Sequence, residues 1–96
     1  MIKHIVCFKL KDNSKENKEK AKEIIMSMVG KVPMLRGLEA GTDFLCSSRS
    51  FDVILQATLD DEKALEAYQN DEYHAGVVKK YLGSVSEASI ALDYYI

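Results

Sequence analysis

Cysteine is scarce in this chain, and the two present, Cys7 and Cys46, stand far apart with no C-x-x-C pair. Histidine is equally rare, with only His4 and His74. Four such residues scattered singly lack the paired spacing of a zinc site, so no metal is expected. Free thiols fit a reducing cytoplasmic setting, with Cys7 acting as a small hydrophobe inside a strand pattern. Charge of one sign is missing as well. Thirteen Lys and Arg against fifteen Asp and Glu leave a net charge of −2, which offers no basic field to attract nucleic acid. No apolar run approaches the ~20 residues that a bilayer-spanning helix needs. Internal repeats and low-complexity segments are absent. The opening "MIKHIVCFKL" alternates polar and apolar residues, a strand pattern and not a secretion signal. The one charge-rich run, "KDNSKENKEKAKE", carries both signs on a helical pattern and reads as a solvated helix face.

What remains is a balanced globular composition, 47% hydrophobic and 29% charged over 96 residues, enough for one domain spanning 1–96. The core of so short a chain is thin, and a second copy covering one face would add to it. From Ile2 to Lys11 the residues alternate, with Ile2, His4, Val6, Phe8 and Leu10 on one side and Lys3, Ile5, Cys7, Lys9 and Lys11 on the other. Ser14 is placed to cap a helix whose apolar stripe is Ala21, Ile24, Ile25, Met28 and Val29. Gly30 and Pro33 end it. "LRGLEAGTDFL" is a strand loosened by two glycines, "CSSRS" a polar connection, and "FDVILQATL" a strand with Phe51, Val53, Leu55, Ala57 and Leu59 on one face. Asp60 and Asp61 open a second helix with Ala64, Leu65 and Tyr68 inward. Asp71 caps a further helical segment to about Tyr81, and "EASIALDYYI" closes the chain as a strand whose inward face the pattern leaves ambiguous.

The order β-α-β-β-α-β is that of a ferredoxin-like α+β sandwich, two helices on one face of a four-stranded antiparallel sheet. Its other face carries Ile5, Cys7 and Ile54 amid Asp52, Gln56 and Thr58, a mixture that suits packing against the sheet of a second subunit. A homodimer is therefore expected.

Within "AYQNDEYHAGVV" an α-helical spacing aligns His74 with Val77, Val78 and Tyr81, which puts a titratable imidazole on the apolar stripe. Imidazole titrates near neutrality and can take a proton from an acidified C–H, while Tyr68 could orient it or donate to a developing enolate oxygen. The alternative is a core histidine satisfied by backbone or by Tyr68. His4, beside Val6 and Phe8, is expected to line the same cavity, or to make a structural hydrogen bond at the end of the sheet. Tyr81 is the expected pocket wall, and Arg49 with Asp52 a local ion pair. The remaining tyrosines are expected to be packing residues with polar tips.

Four stretches in order, "KHIVCFKLK", "VPMLRGLEAGTDF", "RSFDVIL" and "ALEAYQNDEYH", resemble the stress-responsive α/β-barrel family, often called Dabb. The resemblance implies a ferredoxin-like subunit pairing sheet to sheet as a dimeric α/β barrel, with helices outside. A plant member of the family is a polyketide cyclase that closes a poly-β-keto chain by aldol chemistry without metal or organic cofactor. Its tyrosine and the histidine six residues later match Tyr68 and His74, and a first-strand histidine matches His4. Where the family motif often has a further histidine and a proline, this chain has Asp71 and Glu72. Two polar pocket positions of the cyclase, on the first helix and third strand, correspond to Ile25 and Val53. The pocket implied keeps the reactive pair, loses polar holds on an oxygen-rich substrate, and needs no cofactor. Three function classes follow: a dimeric binder of a small apolar or phenolic or polyketone ligand, a cofactor-independent cyclase or lyase, and a purely structural dimer. Haem or quinol oxidation on a related dimer is an analogy of fold alone.

Overall fold

Alternating apolar residues build the first strand, β1 (Ile2–Leu10), which lies central in the sheet. The computed structural model describes residues 1–96. Helix α1 (Lys15–Met26) begins where Ser14 Oγ accepts the Asn17 N–H at 3.2 Å, and buries Ala21 and Ile25 completely. After the helix, Gly30 takes the left-handed φ of +81° that turns the chain away. Strands β2 (Gly37–Thr42) and β3 (Val53–Leu59) follow, then α2 (Glu62–Asn70), whose N-cap Asp61 accepts from the Ala64 N–H at 2.8 Å. A π-helical segment (His74–Lys79) runs into α3 (Lys80–Val85), and β4 (Ser86–Tyr95) closes the sheet.

All strand pairs are antiparallel, in the order β2-β3-β1-β4. This is the ferredoxin-like α+β arrangement that the element order implies. The inward residues of β3 (Val53, Leu55, Ala57 and Leu59) are all at most 3% exposed and meet Ile25, Met28, Tyr68, Val78 and Leu82 from the helical side. Helix α1 lies on β2 and β3, and α2 on β3. The inward side of β4 thus has little above it, and Ser89, Ala91, Asp93 and Tyr95 stay exposed.

Several details differ from the sequence pattern. Val29 is exposed, because α1 ends at Met26 and the turns beyond carry Val29 away from the sheet. Asp52 does not belong to the outer sheet face and does not pair with Arg49. It is 5% exposed, its N–H donates to the Phe8 carbonyl, and its carboxylate accepts the Leu10 N–H at 2.7 Å. A buried carboxylate fastened to a backbone N–H ties the end of β1 to the start of β3. The arginine–aspartate pair is instead Arg36 with Asp60, two parallel bonds of 3.0 Å at the surface. The third difference is the π-helical segment. Its i→i+5 turn is wider than an α-turn, so each residue advances through a smaller angle. The inward line becomes His74, half-buried, with Val78 and Leu82, both buried, while Val77 is 41% exposed and Tyr81 swings aside.

Candidate functional site

His4 faces inward from β1 by strand alternation and is 7% exposed. Directly opposite it on β4 is Asp93, whose Oδ1 bonds His4 Nδ1. The carboxylate accepts a hydrogen bond from Nδ1 and so fixes the orientation of the imidazole ring.

Tyr68 sits on the inner face of α2 with no exposed surface. Its ring meets that of His4 edge-on, centroids 5.6 Å apart, and lies tilted over that of His74 at 4.1 Å. The backbone of His74 is held by Asp71, whose Oδ2 accepts the N–H groups of Tyr73 at 3.0 Å and His74 at 3.1 Å. Tyr68 therefore touches His74 through ring faces and does not satisfy it by a hydrogen bond. The Tyr68 hydroxyl and His74 Nδ1 are both buried without a partner. Leaving such an atom unpaired costs about 1–3 kcal/mol, which is why buried orphans draw a functional explanation.

Burial acts on both groups in the direction of neutrality. It pushes the Tyr68 phenol far above its ordinary value of 10. It lowers the His74 imidazole below 6.5, helped by the nearby His4 and Lys79 and opposed by the Gln69 carbonyl and Asp71. At neutral pH the pair is an uncharged hydroxyl donor beside an uncharged imidazole.

The hollow they border holds about 560 Å³. Val6, Phe8 and Leu55 form its sheet side, and Val78 and Leu82 its helical side. Ser86 and Ser89 lie along β4, and Gln69, Asn70 and Lys79 add polar groups. Of the residues singled out from the sequence, His4, Val6, Phe8, Tyr68 and His74 border this hollow, whereas Ile25, Val53 and Tyr81 do not. Ile25 is fully buried in the core beneath α1, which covers β2 and β3 and not the β1–β4 side. Val53 borders a separate hollow of about 240 Å³ near Cys7 and Phe51. Tyr81 is turned away by the π-helical segment, and Lys20 Nζ stands 5.6 Å from its ring centroid. Sequence reasoning missed Asp93. An aspartate within a closing strand is a signal, but only the β1–β4 register pairs it with His4. No three His, Cys, Asp or Glu side chains come together as a metal-binding group.

Several solved structures share this architecture. A dimeric ferredoxin-like protein of unknown function from Bacteroides fragilis is 26% identical, with 99% of this chain and 95% of that one covered at a TM-score of 0.83. A dimeric ferredoxin-like protein from Thermobifida fusca is 21% identical, with 99% and 90% covered at a TM-score of 0.83. The hydroxynitrile lyase of Passiflora edulis is 15% identical, with 99% and 92% covered at 0.77. The latter two likenesses are of fold. No curated protein matches the chain significantly. The sequence profile described as "Stress responsive A/B Barrel Domain" matches residues 2–96, through every strand and helix that borders the hollow. By that match the chain belongs to the stress-responsive α/β-barrel (Dabb) family.

Proposed function

We propose that the protein is a homodimeric barrel whose 96 residues form one domain per subunit. Each subunit holds a small, mostly apolar ligand by a carbonyl or phenolic oxygen placed against Tyr68 and His74. One observation carries this reading: two polar atoms, Tyr68 Oη and His74 Nδ1, stand buried and unpartnered at the same hollow, beside Val6, Leu55, Val78 and Leu82. A phenol or enol could donate to the imidazole nitrogen, and a carbonyl could accept from the tyrosine hydroxyl, satisfying both orphans. His4, fixed by Asp93, stands edge-on to Tyr68 as a further polar group. The outer sheet face serves as the dimer interface. The free cysteines fit a cytoplasmic protein. Titration with 4-hexylphenol, followed by the imidazole signals of His74, tests the pocket. We expect saturable shifts, weakened about tenfold by Tyr68→Phe, the usual scale for one hydrogen bond to a buried group. Absence of any shift in the intact protein would overturn the reading.

A second reading is favoured by the neutral state of His74. A neutral imidazole can remove a proton alpha to a carbonyl: the C–H bond breaks, the proton goes to Nδ1, and the electron pair moves into the carbonyl as an enolate that Tyr68 stabilises by donation. The likeness in fold to a hydroxynitrile lyase is compatible with such chemistry and does not assign it. Exchange of the α-protons of a β-diketone in deuterated water distinguishes the two readings. Enzymatic proton transfer requires exchange above the buffer rate that His74→Ala abolishes; exchange at the buffer rate in the wild type leaves binding alone.

A further inference from the structure

At its start, β4 departs from regular pairing. Lys9 stands opposite Ala88, yet Leu10 stands opposite Ser86, so Glu87 is an extra residue without a partner on β1. This is a β-bulge, a device that re-aims side chains and is common beside functional sites. Strict alternation back from Ser89 would have turned Glu87 inward and Ser86 outward. The bulge reverses this. Ser86 joins the side of buried Leu10, Glu87 goes to solvent, and two serines three positions apart both border the hollow. A carboxylate is kept out and a hydroxyl brought in. The Ser86 Oγ is then left buried without a hydrogen-bond partner, the third such side-chain atom in the molecule after those of Tyr68 and His74.

The two polar ends of the hollow are well separated. Ser89 pairs with Phe8, four residues along β1 from His4, roughly 13 Å at the rise of a strand, and Ser86 lies beyond it. The stretch between is apolar, with Val6 and Phe8 on the sheet and Val78 and Leu82 above. The one lysine or arginine of the lining is Lys79, on the π-helical segment and not on β4.

We propose that the bulge at Glu87 builds a second binding subsite, in which Ser86, with Ser89 beside it, takes an uncharged oxygen at the far end of the ligand. The inference rests on the pocket reading and narrows its ligand class to elongated molecules. These carry a phenolic or enolisable head, an apolar middle, and a hydroxyl or keto oxygen remote from the head. Purely alkyl-tailed phenols fill the same space but leave the serine hydroxyl unsatisfied, the kind of mismatch by which hydrogen-bonding sites reject analogues.

The test compares matched pairs: 4-(ω-hydroxyalkyl)phenols with four, six or eight methylenes, against 4-alkylphenols in which a methyl replaces the terminal hydroxyl. Affinities are measured by calorimetry on the intact wild-type protein and on Ser86→Ala and Ser86→Thr. At one chain length the wild type should prefer the hydroxyl member about five- to tenfold, the scale of one net hydrogen bond. Ser86→Ala should abolish that preference while the alkyl member binds as before, and Ser86→Thr should keep it. Equal preference ratios in wild type and Ser86→Ala at every length would overturn the subsite and leave the pocket reading standing. Failure of both members to bind the wild type would overturn the pocket reading and the subsite with it.

Discussion

His74 and Tyr68 have opposite titrations but the same environment, and that environment leaves a signature in stability against pH. Burial first of all lowers the His74 imidazole below 6.5 and raises the Tyr68 phenol above 10. On the acid side, the unfolded imidazole takes its proton as pH drops through 6.5 while the folded one still resists. The unfolded state then binds more protons, and stability falls with pH until the folded imidazole is protonated as well. On the alkaline side, the unfolded phenol ionises above pH 10 while the folded one keeps its proton, so stability falls as pH rises. His74→Gln should flatten the acid loss relative to wild type, and Tyr68→Phe the alkaline loss, in urea unfolding between pH 5 and 11. Parallel curves for wild type and His74→Gln below pH 6.5 would mean that the imidazole titrates as freely in the folded protein as in water. Binding of a phenol to neutral His74 should weaken over that same acid range.

Among the elements, the one that decides the site is the π-helical segment, and it is also where sequence reading was least sufficient. The strands were legible because a period of two exposes one face to the core whatever their neighbours do; Val53, Leu55, Ala57 and Leu59 are buried as their alternation requires. The caps Ser14 and Asp71 were legible because capping is local chemistry, and Asp61, expected only as an acidic residue opening α2, is its N-cap. The side chains converging on the hollow were legible only as far as their elements were regular. Tyr81 was misplaced because α-helical spacing cannot foresee a change of winding. Ile25 and Val53 share the inward side of their elements but lie where α1 closes directly on β2 and β3. Asp93 depends on a strand register, a long-range property. Asp71 links local chemistry to the site, since one carboxylate oxygen accepts from two successive N–H groups at the start of the segment carrying His74. Asp71→Ala should cost about 1 kcal/mol, the usual loss of a cap, and should speed amide exchange at Tyr73 and His74. Unchanged exchange there would show that packing of Val78 and Leu82 alone sets the segment.

For the whole molecule, the unequal coverage of the sheet matters most. Helices α1 and α2 pack on β2 and β3, the hollow lies over the inner side of β1, and β4 is exposed along nearly its whole length. On the outer face the register lines up three rungs: Ile54, Cys7 and Ile90; then Gln56, Ile5 and Leu92; then Thr58, Lys3 and Tyr94. Ile90, Leu92 and Tyr94 are 57%, 62% and 41% exposed, a contiguous apolar surface of the kind that marks an interface. Structures of the same fold from Bacteroides fragilis and Thermobifida fusca are described as dimeric, and the proposed homodimer would place its interface on this face. A lysine at Leu92 would bring its charge into the middle rung, where burial without a partner opposes pairing. Leu92→Lys should therefore sediment as a single chain at concentrations where wild type sediments as two. Its thermal midpoint should also lose the dependence on protein concentration that links folding to association. Because Leu92 faces away from the hollow, a monomer that keeps its fold should retain the His74 response to 4-hexylphenol. A Leu92→Lys protein that still sediments as two chains would remove this face from the interface and leave its exposed isoleucine, leucine and tyrosine without a partner.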